Sequence, residues 1–166
     1  MTIYIAQLVD PLYYLARVLA NELGPEYLPE ARKAQALAAW SYVHYKLDVA
    51  GKNAVFPDTR DQAFDGLNEP VLADYEIAAQ MMRYMGLYAG KPAAMFYSKS
   101  CGGSTIVGWG GQCKVTACPC DAPVAGHRHG GCQLGMERLA IQGKRWQEIV
   151  AYYWNVEVAE GWRDGS

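Results

Sequence analysis

Residues 29–45 read PEARKAQALAAWSYVHY, and five of these positions are alanine. Pro29 suits the first position of a helix, and Ala31, Ala34, Ala38 and Tyr42 then fall three and four apart on one face of it. Alanine is the best helix former and carries almost nothing beyond its backbone. A stripe of it therefore allows a neighbouring backbone to come close, and that constrains the fold more than any other stretch of the chain.

The other elements follow from their punctuation. Asp10 before Pro11 is an N-cap with proline at the first helical position, and Gly24-Pro25 is a stop, so the sequence predicts a helix over 11–23 with Leu12, Leu15, Leu19 and Leu23 on its core face. The stretch AGKNAVFPDTRDQAFDGLNEP reads as loop with one short strand near Ala63 and Phe64. Asn68 and Pro70 then open a helix in which Val71, Tyr75, Ala78, Met82 and Met85 recur until Gly86. LYAGKPAAMFYS reads as two short strands around Gly90, with Pro92 limiting the second to an edge or a late start. Residues 100–131 are loop-rich, and LGMERLAIQG and WQEIVAYYWN predict two short C-terminal helices. The expected fold is α+β, leaning helical: several helices packed with short antiparallel strands and a long glycine- and cysteine-rich loop region. With 166 residues, 51% hydrophobic and 19% charged, a single domain over 1–166 is expected.

A formal net charge of -2 gives no electrostatic footprint for nucleic acid. No apolar run approaches the roughly 20 residues of a membrane span, and MTIYIAQLVDPLYY has neither a basic segment nor a continuous apolar one, so no export signal is expected within this chain. The five cysteines, Cys101, Cys113, Cys118, Cys120 and Cys132, all fall in one region. Disulfides, a metal site and free thiols stay open, because spacing does not give connectivity.

Three stretches carry chemistry. Glu22 falls in the last turn of the first helix, where unpaired carbonyls and apolar neighbours disfavour a negative charge. A raised pKa, and hence a proton donor near neutrality, is the functional expectation; a solvated glutamate at a helix end is the plain one. Glu26 and Glu30 lie on a turn and at a helix N-terminus, where negative charge is stabilised and pKa values are expected to fall. Residues 98–105, SKSCGGST, place two glycines among hydroxyls after a strand, a turn able to bring backbone amides to a polar ligand. Residues 126–133, GHRHGGCQ, bring His127 and His129 near Cys132, and with Cys118 and Cys120 these could hold zinc. Cys101 or Cys132 as a thiol nucleophile beside a histidine base is a further alternative.

In this order the stretches resemble the SpoIID/LytB family of sporulation-associated lytic transglycosylases and amidase enhancers. VLANELGPEYLPEARKAQALAAWSYV follows the family's V-V-A-x-E-M-P and W-P-x-E-A-L-K-A-Q-A-V-A-A-R-T-Y closely. DTRDQAFDG echoes D-T-x-x-Q-x-Y-x-G, LYAGKP echoes L-x-Y-x-G-x-P, CGGST closes S-x-S-G-G-x-T, and GHRHGGCQLGM echoes G-H-G-x-G-M-S-Q-x-G-A. The resemblance implies Glu22 as the catalytic glutamate. It implies glycan contacts from Lys33, Gln35, Tyr42, Ser98, Ser100, Cys101, Gly102, Gly103, Thr105, His127 and Gln133. Some members of that family hold zinc around the D-T-x-x-Q stretch, where this chain has Arg60 and Asp61.

What the resemblance implies for function is cleavage of the MurNAc-GlcNAc linkage of peptidoglycan outside the cytoplasm, leaving 1,6-anhydroMurNAc ends, without a cofactor. The chemistry agrees: a hydrolase needs two carboxylates, whereas only one stands out here, and cyclisation onto the muramic C6 hydroxyl needs only one. A non-catalytic wall-binding amidase enhancer, with an amidase as partner, and a cysteine peptidase acting on stem peptides are the alternatives.

Overall fold

The computed structural model describes residues 3–5, 7–57, 61–106 and 111–162. A short antiparallel hairpin, β1 (Ile3–Ile5) and β2 (Gln7–Val9), leads into α1 (Pro11–Glu22). Asp10 caps α1 as its sequence suggests, its carboxylate accepting from the Tyr13 N–H at 2.9 Å. The helix stops at Glu22 because Leu23 turns to an extended conformation, its N–H still bonded to Leu19 O. Leu15, Leu19 and Leu23 are buried, and Leu12 is half-buried against them.

Helix α2 (Pro29–His44) is the centre of the molecule, buried on nearly every side. Its alanines are the reason: a helix this thin admits α1, α3 (Leu72–Met81), α4 (Gln133–Ile141), α5 (Trp146–Tyr153) and β3 (Tyr84–Tyr88) against itself. Arg32 on α2 is buried and bonds to both Asp74 and Leu23 O, so one guanidinium ties the exit of α1 to the start of α3. Breaking a buried pair of this kind by removing one partner costs about 3–5 kcal/mol. A π-helical turn, Tyr45–Val49, follows α2.

Two expectations are corrected here. Ala63 and Phe64 form no strand; the Ala63 N–H is taken by Glu22 and the Phe64 N–H by Pro57 O and Gln62 O, so neither is free to pair with another strand. The helix expected to run to Gly86 ends at Met81. Met85 and Gly86 lie instead in β3, between β4 (Lys91–Pro92) and β7 (Glu157–Glu160) in an antiparallel sheet. Tertiary pairing wins over helical spacing there, reinforced by a 2.9 Å bond from Gly86 N–H to Ser41 Oγ. Pro92 does lie on an edge strand.

β5 (Tyr97–Ser98) pairs in parallel with β6 (Gly131–Cys132), and between them the described residues make only turns and isolated bridges, such as Ser100 to Ala125 and Ser104 to Ala117. The fold is α+β. Among the described residues no helix is long and apolar enough to cross a membrane.

Candidate active site

Glu22 is half-buried at the very end of α1, and each carboxylate oxygen accepts one hydrogen bond. Oε1 takes the Ala63 N–H at 2.9 Å, and Oε2 takes Gln133 Nε2 at 2.9 Å. Gln133 is the first residue of α4. The carboxylate is thus held from two sides, by the irregular segment after α2 and by a helix from the far end of the chain.

Two cavities meet at this group. One, of about 400 Å³, is lined by Glu22, Tyr42, Asp61, Ser98, Lys99 and His127 among others. The second, of about 870 Å³, runs past Asn21, Glu22, Asn68, Lys99 and Gln133. Glu22 and the exposed Lys99 line both, so these two residues mark where the cavities join.

Asp61 is the second carboxylate of the first cavity. Its side chain is fully buried, and its oxygens are occupied by Tyr42 OH at 2.7 Å, Lys46 Nζ at 2.7 Å and the Phe56 N–H at 2.8 Å. Burial and then the Asp61 bond push the Tyr42 phenol well above its usual range. Behind them Tyr14 OH donates to Gln62 Oε1 at 2.7 Å, and Gln62 Nε2 donates to Ala39 O at 2.9 Å. Burial raises the phenols of Tyr14 and Tyr97, and the Glu22 charge adds to both. His127 Nδ1 accepts the His129 N–H at 3.0 Å, and desolvation with His129 alongside lowers its pKa, which keeps the ring neutral at pH 7.

Of the residues implied as glycan contacts, Tyr42, Ser98 and His127 line the first cavity and Gln133 the second. The Ser98 hydroxyl has no hydrogen-bond partner among the described residues. The others stand elsewhere. Lys33 pairs with Glu30 at 2.7 Å. Gln35 is fully buried inside α2, out of a ligand's reach. Ser100 donates to Pro123 O, and Thr105 to Lys114 O at 2.8 Å; both are buried by the loop region they hold together. Gly102 and Gly103 form its turn at φ of +67° and +88°.

Cys101 is completely buried, away from both cavities. The sulfurs of Cys101, Cys120 and Cys132 lie within 4.8 Å of one another, and neither histidine belongs to that group. The mixed histidine–cysteine zinc site is thereby corrected, because His127 turns to the cavity while the cysteines turn to the core. Burial pushes the Cys101 thiol up to about 11, and a hydrogen bond to Cys118 and burial push Cys132 up further. Protonated and enclosed, neither has the character of a nucleophile. Arg60 lies outside the described residues.

Asp61 and Lys99 are cavity residues that sequence reasoning did not assign to the site. Each had a faint signal, Asp61 inside DTRDQ and Lys99 between Ser98 and Ser100, but nothing in the sequence places Tyr42, Lys46 and Phe56 around the former.

The family model described as SpoIID, stage II sporulation protein, matches residues 2–85, just over half of the 166 residues. The matched part includes Glu22, Tyr42 and Asp61 and ends before β5. An uncharacterized protein of Brachyspira hyodysenteriae (strain ATCC 49526 / WA1) is 34% identical over 96 residues, which cover 55% of this chain and 26% of that protein. The chain thus spans about a quarter of the length of that relative.

Proposed function

This chain belongs to the SpoIID family, and from that premise we propose that it is a lytic transglycosylase acting on peptidoglycan glycan strands outside the cytoplasm. The observation that carries the proposal is the position of Glu22, at the junction of two cavities with its carboxylate held by Ala63 and Gln133. A strand lying through both cavities presents an internal glycosidic bond to that group.

Glu22 in its acid form protonates the glycosidic oxygen, and the bond from that oxygen to C1 of MurNAc breaks as oxocarbenium character develops. The C6 hydroxyl of the same sugar closes onto C1, and the Glu22 carboxylate takes its proton. The substrate supplies its own nucleophile at high effective concentration, so no activated water is required. Asp61 supports this over hydrolysis. A hydrolase needs a second carboxylate free to act, and Asp61 is enclosed and fully engaged by Tyr42, Lys46 and Phe56. The exposed Lys99 ammonium suits the carboxylates that muramic acid and its stem peptide carry.

Digestion of purified glycan strands, with product ends identified by mass spectrometry, tests the proposal. Anhydromuramic ends are expected. Ordinary reducing ends would make the protein a hydrolase, and tight binding with no cleavage would make it a wall-binding enhancer of an amidase.

A further inference from the structure

We propose that Cys101, Cys118, Cys120 and Cys132 bind one zinc ion as a buried tetrathiolate that pins the loop region beside the cavities. Three of the sulfurs, those of Cys101, Cys120 and Cys132, lie within 4.8 Å of one another, and Cys118, outside that mutual distance, stands beside them as the fourth thiol, close enough to interact with Cys132 and Cys101. Tetrahedral zinc with Zn–S bonds of about 2.3 Å sets its sulfurs roughly 3.8 Å apart, so Cys101, Cys120 and Cys132 need only a small contraction, while Cys118 moves further to close the fourth position. Three separate segments supply the ligands: the turn after β5, the loop at 118–120 and the residue preceding α4. Cys113 is also buried but stands outside the group.

The surroundings suit thiolates. The Gly135 N–H points to Cys132 Sγ at 3.4 Å, and Tyr153 OH lies 3.1 Å from Cys118 Sγ. Gly103 and Cys120 offer backbone N–H bonds to Cys101 and Cys118. Donors of this kind orient metal-bound sulfur and offset its charge. Gly135 is packed so closely that a Cβ there would stand 2.3 Å from Cys118 Sγ. An all-sulfur, closed, four-ligand set is that of a structural zinc. An iron–sulfide cluster would need space inside the thiolates, whereas sulfurs this close leave room for a single ion. On binding, the thiol protons pass to solvent.

This zinc site stands independently of the transglycosylase reading, yet it bears on the same groups. Cys132 immediately precedes Gln133, which holds Glu22, and Cys101 lies two residues beyond Lys99.

The test is metal analysis of the full chain, produced with zinc present and purified under reducing conditions without chelator. It is run beside Cys113→Ser and the double variant Cys101→Ser/Cys120→Ser, and the wild type is also loaded with cobalt. About one zinc per chain is expected in the wild type and in Cys113→Ser, with loss of most of it in the double variant. Cobalt-loaded wild type is expected to show sulfur-to-metal charge transfer and the intense visible bands of a tetrahedral site. The proposal is overturned if reduced wild type takes up neither zinc nor cobalt, if an iron–sulfide chromophore is found, or if disulfides map among the four cysteines of the protein as isolated. Full zinc in the double variant also overturns it. The wild-type readings decide the matter even where the double variant fails to fold.

Discussion

Gln133 Nε2 donates a 2.9 Å hydrogen bond to Glu22 Oε2, joining the first residue of α4 to the last of α1 across 111 positions of sequence. The bond fixes which way the carboxylate faces, while Ala63 N–H holds the other oxygen. A hydrogen bond to an ionised group contributes about 1.5–3 kcal/mol, so Gln133→Ala is expected to lower turnover on glycan strands roughly ten- to a hundredfold with strand binding retained. Steady-state kinetics beside a thermal melt checks this. Unchanged turnover in a folded variant would show that Gln133 does not position the acid.

Asp61 is expected to act as an anchor for Tyr42, Lys46 and the Phe56 backbone rather than as a second catalytic carboxylate. Asp61→Asn removes the charge opposite Lys46 and is expected to lower the denaturation midpoint. The product ends made by the remaining activity should still be anhydro. Complete loss of cleavage in a variant with wild-type stability would instead assign Asp61 to the chemistry.

Glu30 provides the pH test. Burial alone would raise its pKa, but hydrogen bonds from Lys33 Nζ at 2.7 Å and from the Trp146 N–H at 2.8 Å outweigh this and leave it below its ordinary 4.5. The folded state therefore holds this proton less readily than the unfolded state. The stabilisation is present above pH 4.5 and is lost as pH falls through the depressed value. Glu30→Gln is expected to be less stable than wild type at pH 6, with the gap closing on acidification. Turnover should stay near wild type, since Glu30 lines neither cavity. A gap that persists unchanged at the lowest pH would contradict the linkage.

The helices were legible because their ends are marked locally, α1 by Asp10-Pro11 and α2 by Pro29, and because the alanine stripe has one physical use. β7 was not: Glu157–Glu160 alternates weakly and becomes a strand only through β3, whose place depends on Ser41 meeting Gly86. At the candidate site, Glu22 and His127 are residues that the family motifs point to and that also line one cavity. The enclosure of Asp61 was not, since its three partners come from α2, the π-helical turn after it and a loop. The cysteines showed the same limit. Spacing put them near two histidines, and only the turn at Gly102 and Gly103 and the start of α4 decide which groups face each other.

Glu22→Gln tests the central claim most directly, with glycan binding and anhydromuramic products measured on the same preparation. The substitution keeps shape and the acceptor for the Ala63 N–H, and it keeps the second hydrogen bond once the Gln133 amide turns over to accept, while removing the transferable proton; loss of a general acid costs on the order of a hundredfold to ten-thousandfold in rate. The expected result is retained binding with anhydro products reduced by at least a hundredfold. A Glu22→Gln protein that released anhydro ends at the wild-type rate would contradict the account at its central residue.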